Sequence, residues 1–139
     1  MTSQHSSSPT ISFEFFPPKT AEAREVLWSS VPELVSLSPA YCTVTSGVGV
    51  DNRNGTIAAI TRLKDETDVP VAAHVTFINI PKPEFFSYAD ALWELDIRNL
   101  VVLRGDMPED LQWPLDCDKD YFQYTNAVSY THLTLPTIA

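Results

Sequence analysis

Apolar residues along the chain fall into four short runs, and a segment with helical periodicity follows each of the first three. The runs occupy residues 11–16, 40–45, 69–77 and 99–103. Residues of a strand alternate between two faces, whereas the apolar face of a helix recurs every three to four residues. The chain is therefore predicted to fold in the order β-α-β-α-β-α-β. A loop over 107–119 and the start of a fourth helix near 121–128 are predicted to follow.

Local signals indicate where the helices begin and end. Thr20 can cap the first helix, because its hydroxyl can accept a hydrogen bond from a free backbone N–H. Pro32 lies inside that helix and predicts a kink or a break into two short helices, since proline cannot donate to the helical ladder. The sequence Asn-Gly-Thr at 54–56 is typical of a turn and cap, so the second helix is predicted to follow it. The third helix is predicted over 85–95.

Strands that alternate with helices indicate a right-handed parallel α/β sheet, either open and doubly wound or closed as a barrel. Polar residues at or near the four strand ends recur at intervals of about 30 residues, as expected of a regular βα unit. These residues are Glu14, Thr45, His74 and Arg104. An open nucleotide-binding sheet is expected to have a glycine-rich first turn, but residues 17–19 are Pro-Pro-Lys. We therefore predict a parallel (β/α)8 TIM barrel, truncated to about four βα units.

Charge and composition narrow the class of protein. The chain has 139 residues and a net charge of -9, which argues against a nucleic-acid partner because no basic patch is available to neutralise phosphates. No apolar run approaches the roughly 20 residues of a membrane helix, and residues 1–10 read as a disordered lead-in without a signal core. Cys42 and Cys117 form no metal-binding or disulfide pattern. A cytoplasmic protein with reduced thiols and no metal site is expected.

Two segments carry candidate chemistry. Glu14 lies in an aromatic strand, where it is either an exposed edge residue or a desolvated carboxyl with a raised pKa that suits proton transfer. Burial of parallel strands on both faces favours the second interpretation. Arg104-Gly105-Asp106 follows the fourth strand and is either a solvated charge pair or a site where glycine lets the backbone approach a ligand. His74 and Thr45 have the alternative of ordinary strand packing.

Four motifs resemble the methylenetetrahydrofolate reductase family in order and spacing. They are Ser-Phe-Glu-Phe-Phe-Pro-Pro-Lys-Thr at 12–20, Thr-Val-Thr at 43–45 with Gly47, Ala-His-Val-Thr at 73–76 and Val-Leu-Arg-Gly-Asp at 102–106. The resemblance implies a barrel that holds FAD without a covalent bond. It also implies that NADH or NADPH reduces the flavin, which reduces 5,10-methylenetetrahydrofolate to 5-methyltetrahydrofolate in one-carbon metabolism and methionine biosynthesis.

The resemblance also implies roles for individual residues. Glu14 becomes the general acid that assists opening of the folate ring, and Asp106 lies between flavin and folate and contacts the pterin. The implied FAD-binding residues are Thr45, Ser46, Val48, His74, Arg104, Gly105, Asp106 and Tyr124. Ser46 and Val48 stand where the family usually has Tyr and Ala. The full-length protein is expected to be a homo-oligomer.

The resemblance covers residues 11–128, which correspond to the N-terminal half of the catalytic barrel. We interpret 129–139 as an aberrant, artefactual tail, since it is uncharged apart from His132 and departs from the family's helix. A half-barrel exposes two strand edges and its inner face, so the isolated chain is expected to associate or aggregate and to bind FAD weakly. Two alternatives remain: an inactive half-barrel that acts at most as a binding or assembly module, and another barrel enzyme such as an aldolase or hydrolase.

Overall fold

The computed structural model describes residues 9–46, 50–106, 121, 122, 124, 125 and 128. Its helices and strands follow the predicted alternation. In chain order they are β1 (Ser12–Phe15), α1 (Ala21–Ser36), β2 (Tyr41–Val44), α2 (Val50–Glu66), β3 (Val71–Thr76), α3 (Lys82–Glu94) and β4 (Asn99–Leu103). The described strands and helices therefore confirm the α/β class. The predicted lead-in, the 107–119 loop and the tail lie almost entirely outside the described residues.

The four strands form one parallel sheet in the order β1-β2-β3-β4. Each strand pairs with the next one in the sequence, so the order never reverses. A doubly wound sheet reverses its order at a switch point, whereas consecutive order is the arrangement within a (β/α)8 barrel. Because crossovers between parallel strands are right-handed, unreversed order puts all three helices on the same side of the sheet. The described architecture is therefore consistent with part of a barrel.

The hydrophobic core lies between the sheet and its helices. From the sheet, the buried side chains are Phe15, Cys42, Val44, Val71, Ala73 and Val75. From the helices, they are Val31, Ala59, Ile60, Leu63, Phe85, Tyr88 and Leu92. Together with residues from the loops these form one continuous cluster, which holds the strands in register and leaves the opposite face of the sheet for other contacts.

The opposite face is polar at its centre. Strand alternation places Glu14, Thr43, Ala72 and His74 there, with Glu14 beside Thr43 and Thr43 beside Ala72 in the parallel register. Thr43 and His74, on the two inner strands, are buried, whereas Leu103 on β4 is 43% exposed. In the described sheet β1 and β4 are the edge strands. Glu14 and Leu103, on the two edge strands, are therefore more exposed than Thr43 and His74 between them.

The predicted break at Pro32 is wrong, because α1 runs without interruption from Ala21 to Ser36. A proline inside a helix removes one backbone hydrogen bond but does not prevent the flanking residues from packing. Val31, immediately before it, is only 2% exposed in the core. Packing of this face outweighs the lost hydrogen bond, so one helix forms instead of two.

The predicted turn at residues 54–56 is also wrong, because these residues lie inside α2. A Cβ placed on Gly55 would make an ordinary contact of 3.4 Å with the Cβ of Pro17, so this part of α2 lies beside the segment after β1. The Thr56 hydroxyl donates a hydrogen bond of 2.9 Å to the carbonyl of Thr45 instead of capping a helix. This hydrogen bond attaches the helix to the carboxyl end of β2.

Candidate active site at the carboxyl ends of the strands

Because the four strands are parallel, their carboxyl ends lie at one end of the sheet, and the segments that follow them meet there. Backbone hydrogen bonds continue the pairing past the strand ends. The Thr45 N–H donates to the Phe15 carbonyl at 2.9 Å, and the Ile78 N–H donates to the Arg104 carbonyl at 2.8 Å. The carboxyl end of the sheet, where barrel active sites lie, therefore carries Thr45, Ser46 and the loop Arg104-Gly105-Asp106.

Two candidate residues contact each other on the polar face of the sheet. The Nε2 atom of His74 lies 3.3 Å from the Oε2 atom of Glu14, although 60 positions separate them in the sequence. The contact spans β2, since Glu14 is on β1 and His74 on β3. The structure thus brings together the predicted acid and one predicted cofactor-binding residue. His74 is buried, as the packing alternative expected, and also has a polar partner.

The expectation that Glu14 lies in a poorly hydrated place is wrong for the described chain. Its side chain is 51% exposed, because β1 is an edge strand paired only with β2. The sequence argument assumed that both faces and both edges of the strand are covered. Any further desolvation of Glu14 has to come from groups outside the described residues.

The conformation of Gly105 is required by packing within the chain. Its φ angle is +89°, a conformation that side chains with a Cβ rarely adopt. A Cβ at this position would lie 3.0 Å from Cγ2 of Ile78 and 3.2 Å from Cβ of Thr76. The sequence suggested that glycine allows close approach to a ligand, whereas in the structure it allows the loop to pack against the end of β3. Arg104 and Asp106 lie on either side of it with exposed side chains.

A partly buried polar layer supports the segment after β2, and nothing in the sequence pattern singled it out. Arg53, with a side chain that is 8% exposed, forms an ion pair of 2.7 Å with Glu84. Its guanidinium lies 5.4 Å from the ring centroid of Tyr88. Glu84 and Tyr88 are four residues apart on α3 and so share a helix face, which is the one signal that could have linked them.

The Tyr88 hydroxyl is buried within this layer. It makes no hydrogen bond of standard geometry within the described part of the chain. Burial raises its pKa, and the nearby Ser46, Arg53 and Thr56 oppose that rise in part. Because Thr56 also holds the Thr45 carbonyl, the layer fixes the backbone from which Thr45 and Ser46 project.

The remaining predicted site residues are only partly placed. Val48 lies outside the described residues. Tyr121 forms an isolated bridge with Pro81, which precedes α3, so this later segment reaches the same end of the sheet. Phe122 is buried edge-on against Phe85, with ring centroids 5.3 Å apart. Tyr124 follows them and is 58% exposed.

Comparison with known proteins identifies the family. The family described as "Methylenetetrahydrofolate reductase" matches residues 1–131. The chain belongs to this family. It is 40% identical over 100 residues to the 5,10-methylenetetrahydrofolate reductase of Pectobacterium carotovorum subsp. carotovorum and 41% identical over 98 residues to that of Escherichia coli (strain K12). Methylenetetrahydrofolate reductase (NADH) 1 of Arabidopsis thaliana is 34% identical over 97 residues.

The matched regions are a large part of this chain and a small part of its relatives. They cover 72% of the chain and 34% of the Pectobacterium protein, 70% and 33% for the Escherichia coli protein, and 70% and 16% for the Arabidopsis protein. The matched region thus spans about a third of the length of the bacterial relatives. Among the described residues, no helix is long and apolar enough to cross a membrane, and no group of three or more His, Cys, Asp or Glu could hold a metal ion.

Proposed function

We propose that this chain supplies four βα units of a methylenetetrahydrofolate reductase barrel. The complete enzyme would reduce 5,10-methylenetetrahydrofolate to 5-methyltetrahydrofolate with NADH or NADPH as electron donor. The observation that carries the proposal is the contact of 3.3 Å between Glu14 and His74 on the polar face of a parallel sheet. Family membership supports the reaction, and the carboxyl-end position of the other candidate residues supports the site.

The donor groups at the strand ends fit part of a site for non-covalent FAD. Hydroxyl and guanidinium groups bind phosphate and carbonyl oxygens. The carboxyl end of the sheet carries such groups on Thr45, Ser46 and Arg104. His74, Gly105 and Tyr124 are proposed to complete this part of the site, together with Val48. When bound, FAD would supply hydride transfer between the nicotinamide and the folate.

The proposed roles of the protein groups are placement and proton transfer. Glu14 holds a proton and donates it to the folate as its five-membered ring opens. For this role the distance and orientation of the carboxyl group matter more than its acid strength. Asp106, exposed on the loop after β4, would contact the pterin and place a negative charge near the flavin. The partly buried layer of Arg53, Glu84 and Tyr88 would keep the segment after β2 in place. The remainder of the barrel would cover Glu14 and lower its exposure.

The acid role has a direct test in a complete barrel. Residues 9–128 of this chain can replace the matching segment of the Escherichia coli relative, and flavin content reports whether the chimera is assembled. The chimera is expected to oxidise NADH with either menadione or methylenetetrahydrofolate as the acceptor. Glu14→Gln is expected to abolish the folate half-reaction and to preserve reduction of the flavin by NADH, because only the former needs the proton. Equal loss of both half-reactions would contradict the acid role.

A second candidate is a catalytically inactive half-barrel that acts as a binding or assembly module. The two edge strands of the described sheet favour it, since such edges can pair with another chain. DNA flanking the coding sequence distinguishes the two, because continuation into four further βα units supports the enzyme and a stop codon after Ala139 supports the module. Family membership removes the aldolase or hydrolase alternative. Cytoplasmic location, homo-oligomerisation of the full-length protein and the lack of a nucleic-acid partner stay predictions, as does the artefactual origin of 129–139.

A further inference from the structure

We infer that His74 is a positioning residue for Glu14, holding the carboxyl group over the centre of the polar sheet face. The contact itself stands on the geometry of this chain, while its catalytic consequence rests on the proposed function. The resemblance gives His74 a place only in the cofactor site. In the structure Nε2 of its ring lies 3.3 Å from Oε2 of Glu14, and Nδ1 is the ring nitrogen left for a further partner.

The two side chains differ in how firmly the fold holds them. His74 is on β3, an inner strand paired with both β2 and β4, and its side chain is 9% exposed. Glu14 is on the edge strand β1, and its longer side chain is 51% exposed. A half-exposed glutamate has several rotamers of similar energy, and ordering it costs conformational entropy. The packed imidazole therefore orients the carboxyl group, and not the reverse.

The contact also distinguishes the two oxygens of the carboxyl group. Oε2 of Glu14 faces His74, so Oε1 is the oxygen left to face a substrate on the polar side of the sheet. Acids held in this way are effective because reactive geometry is set before the substrate arrives.

Variants at position 74 separate positioning from packing. His74→Gln can place an amide N–H near the position of Nε2 and so keep a donor for Glu14. His74→Leu keeps an apolar side chain of similar size in the buried site and loses the donor. If His74 acts only by packing, the two variants should behave alike. If it positions Glu14, the glutamine variant should retain much of the function that the leucine variant loses.

The first experiment examines the contact in the isolated chain, at a concentration where sedimentation velocity shows it to be monomeric, and needs no activity. Long-range proton–nitrogen NMR reports which ring nitrogen of each histidine carries a proton. We expect the His74 ring signals to change in Glu14→Gln and to stay unchanged in Glu25→Gln, which alters an exposed glutamate on α1. Signals that are the same in the wild type and Glu14→Gln would overturn the inference. Signals of His5 and His132 serve as internal references.

The second experiment uses a double-mutant cycle in the chimeric enzyme. His74→Leu is expected to slow the folate half-reaction by roughly 10- to 100-fold, the usual effect of misplacing a reacting group. In a Glu14→Asp background, whose shorter carboxyl group is already displaced from His74 and which is expected to keep a measurable rate, the same change should slow it much less. His74→Gln should restore most of the rate. Additive effects of the two changes, or equal rates for His74→Leu and His74→Gln, would overturn the inference.

The two experiments also separate failure of the inference from failure of the proposed function. A flavin-loaded chimera without folate reduction would contradict the proposed function and leave the NMR result to decide the contact. Normal folate reduction with additive effects of the two changes would support the proposed function and overturn the positioning role of His74. Flavin content is measured for every variant, so that a weakened cofactor site at His74 is not mistaken for a misplaced acid.

Discussion

Glycine is found at positions 105 and 55, but only one of the two positions requires it. Gly105 has a φ angle of +89° and no room for a Cβ against Thr76 and Ile78. Gly55 lies inside α2, where a Cβ would make an ordinary contact of 3.4 Å with Pro17. Backbone conformation and packing therefore require glycine at position 105 and do not require it at position 55.

Gly105→Ala is therefore expected to lower the free energy of unfolding by about 1–3 kcal/mol, from backbone strain and overpacking together. Gly55→Ala is the matched control and is expected to raise it by about 0.5–1 kcal/mol, because alanine has the higher helix propensity. Urea denaturation of both variants measures the difference. A stability of Gly105→Ala equal to that of the wild type would show that the loop does not pack as described.

Tyr88 gives a prediction about pH. Burial raises the pKa of its hydroxyl above the ordinary value of 10.0, so the folded chain keeps this proton to a higher pH than the unfolded chain. As the pH rises above about 10, the unfolded chain loses the proton first and the free energy of unfolding falls. Tyr88→Phe should remove this part of the fall. Urea denaturation near pH 8 and above pH 10 tests it, with Tyr41→Phe, at an exposed tyrosine, as the control.

At the scale of elements, the start of α1 follows from one residue. The Thr20 hydroxyl accepts a hydrogen bond of 3.1 Å from the Ala23 N–H, which confirms the predicted cap. Thr20→Ala is expected to cost about 1 kcal/mol of stability, the usual effect of losing such a cap. Thr20→Ser retains a hydroxyl and should lose only a small part of that amount. Equal loss in both variants, measured by urea denaturation, would show that the hydroxyl is not what stabilises the helix.

The sequence predicted helices and strands correctly where the signal is local, and incorrectly where packing between distant residues determines the structure. The strand predicted over 69–77 is Val71–Thr76 in the structure, and the cap at Thr20 is where its hydroxyl indicated. Pro32 and residues 54–56 carry equally clear local signals, yet both lie inside continuous helices. Burial of Val31 in the core and the hydrogen bond from Thr56 to the Thr45 carbonyl outweigh the local preferences there. These contacts join residues far apart in the sequence, so periodicity and turn propensity do not reveal them.

The described part of the chain is a sheet with one face covered by helices and with two edge strands, β1 and β4. On its polar face, Tyr41 on β2 and Leu103 on the edge strand β4 are 45% and 43% exposed. Exposed strand edges beside apolar side chains favour pairing with another chain. The isolated chain is therefore expected to self-associate and to bind less than one FAD per chain, because the described candidate residues supply only part of the proposed site.

Sedimentation velocity together with flavin absorbance measures both properties. Leu103→Lys, which puts a charge on the edge strand β4, is expected to shift the isolated chain toward the monomer. Val26→Lys is the control, since Val26 is 66% exposed on α1, away from the sheet edges. A monomeric wild-type chain with one flavin bound would contradict the expectation. A loss of association in both variants would show that net charge, and not the strand edge, controls it.

The sequence by itself determined the alternation of strands and helices, the parallel sheet and the family, because each is encoded in local periodicity and in motifs of adjacent residues. It also placed Glu14, Thr45, His74 and Arg104 near strand ends. Only the tertiary structure decided which strands are edges and which residues meet. Glu14 is half exposed because β1 has one neighbour, and Glu14 reaches His74 because the parallel register carries both to one face. Burial and contact across a sheet depend on strand order, which no local pattern contains.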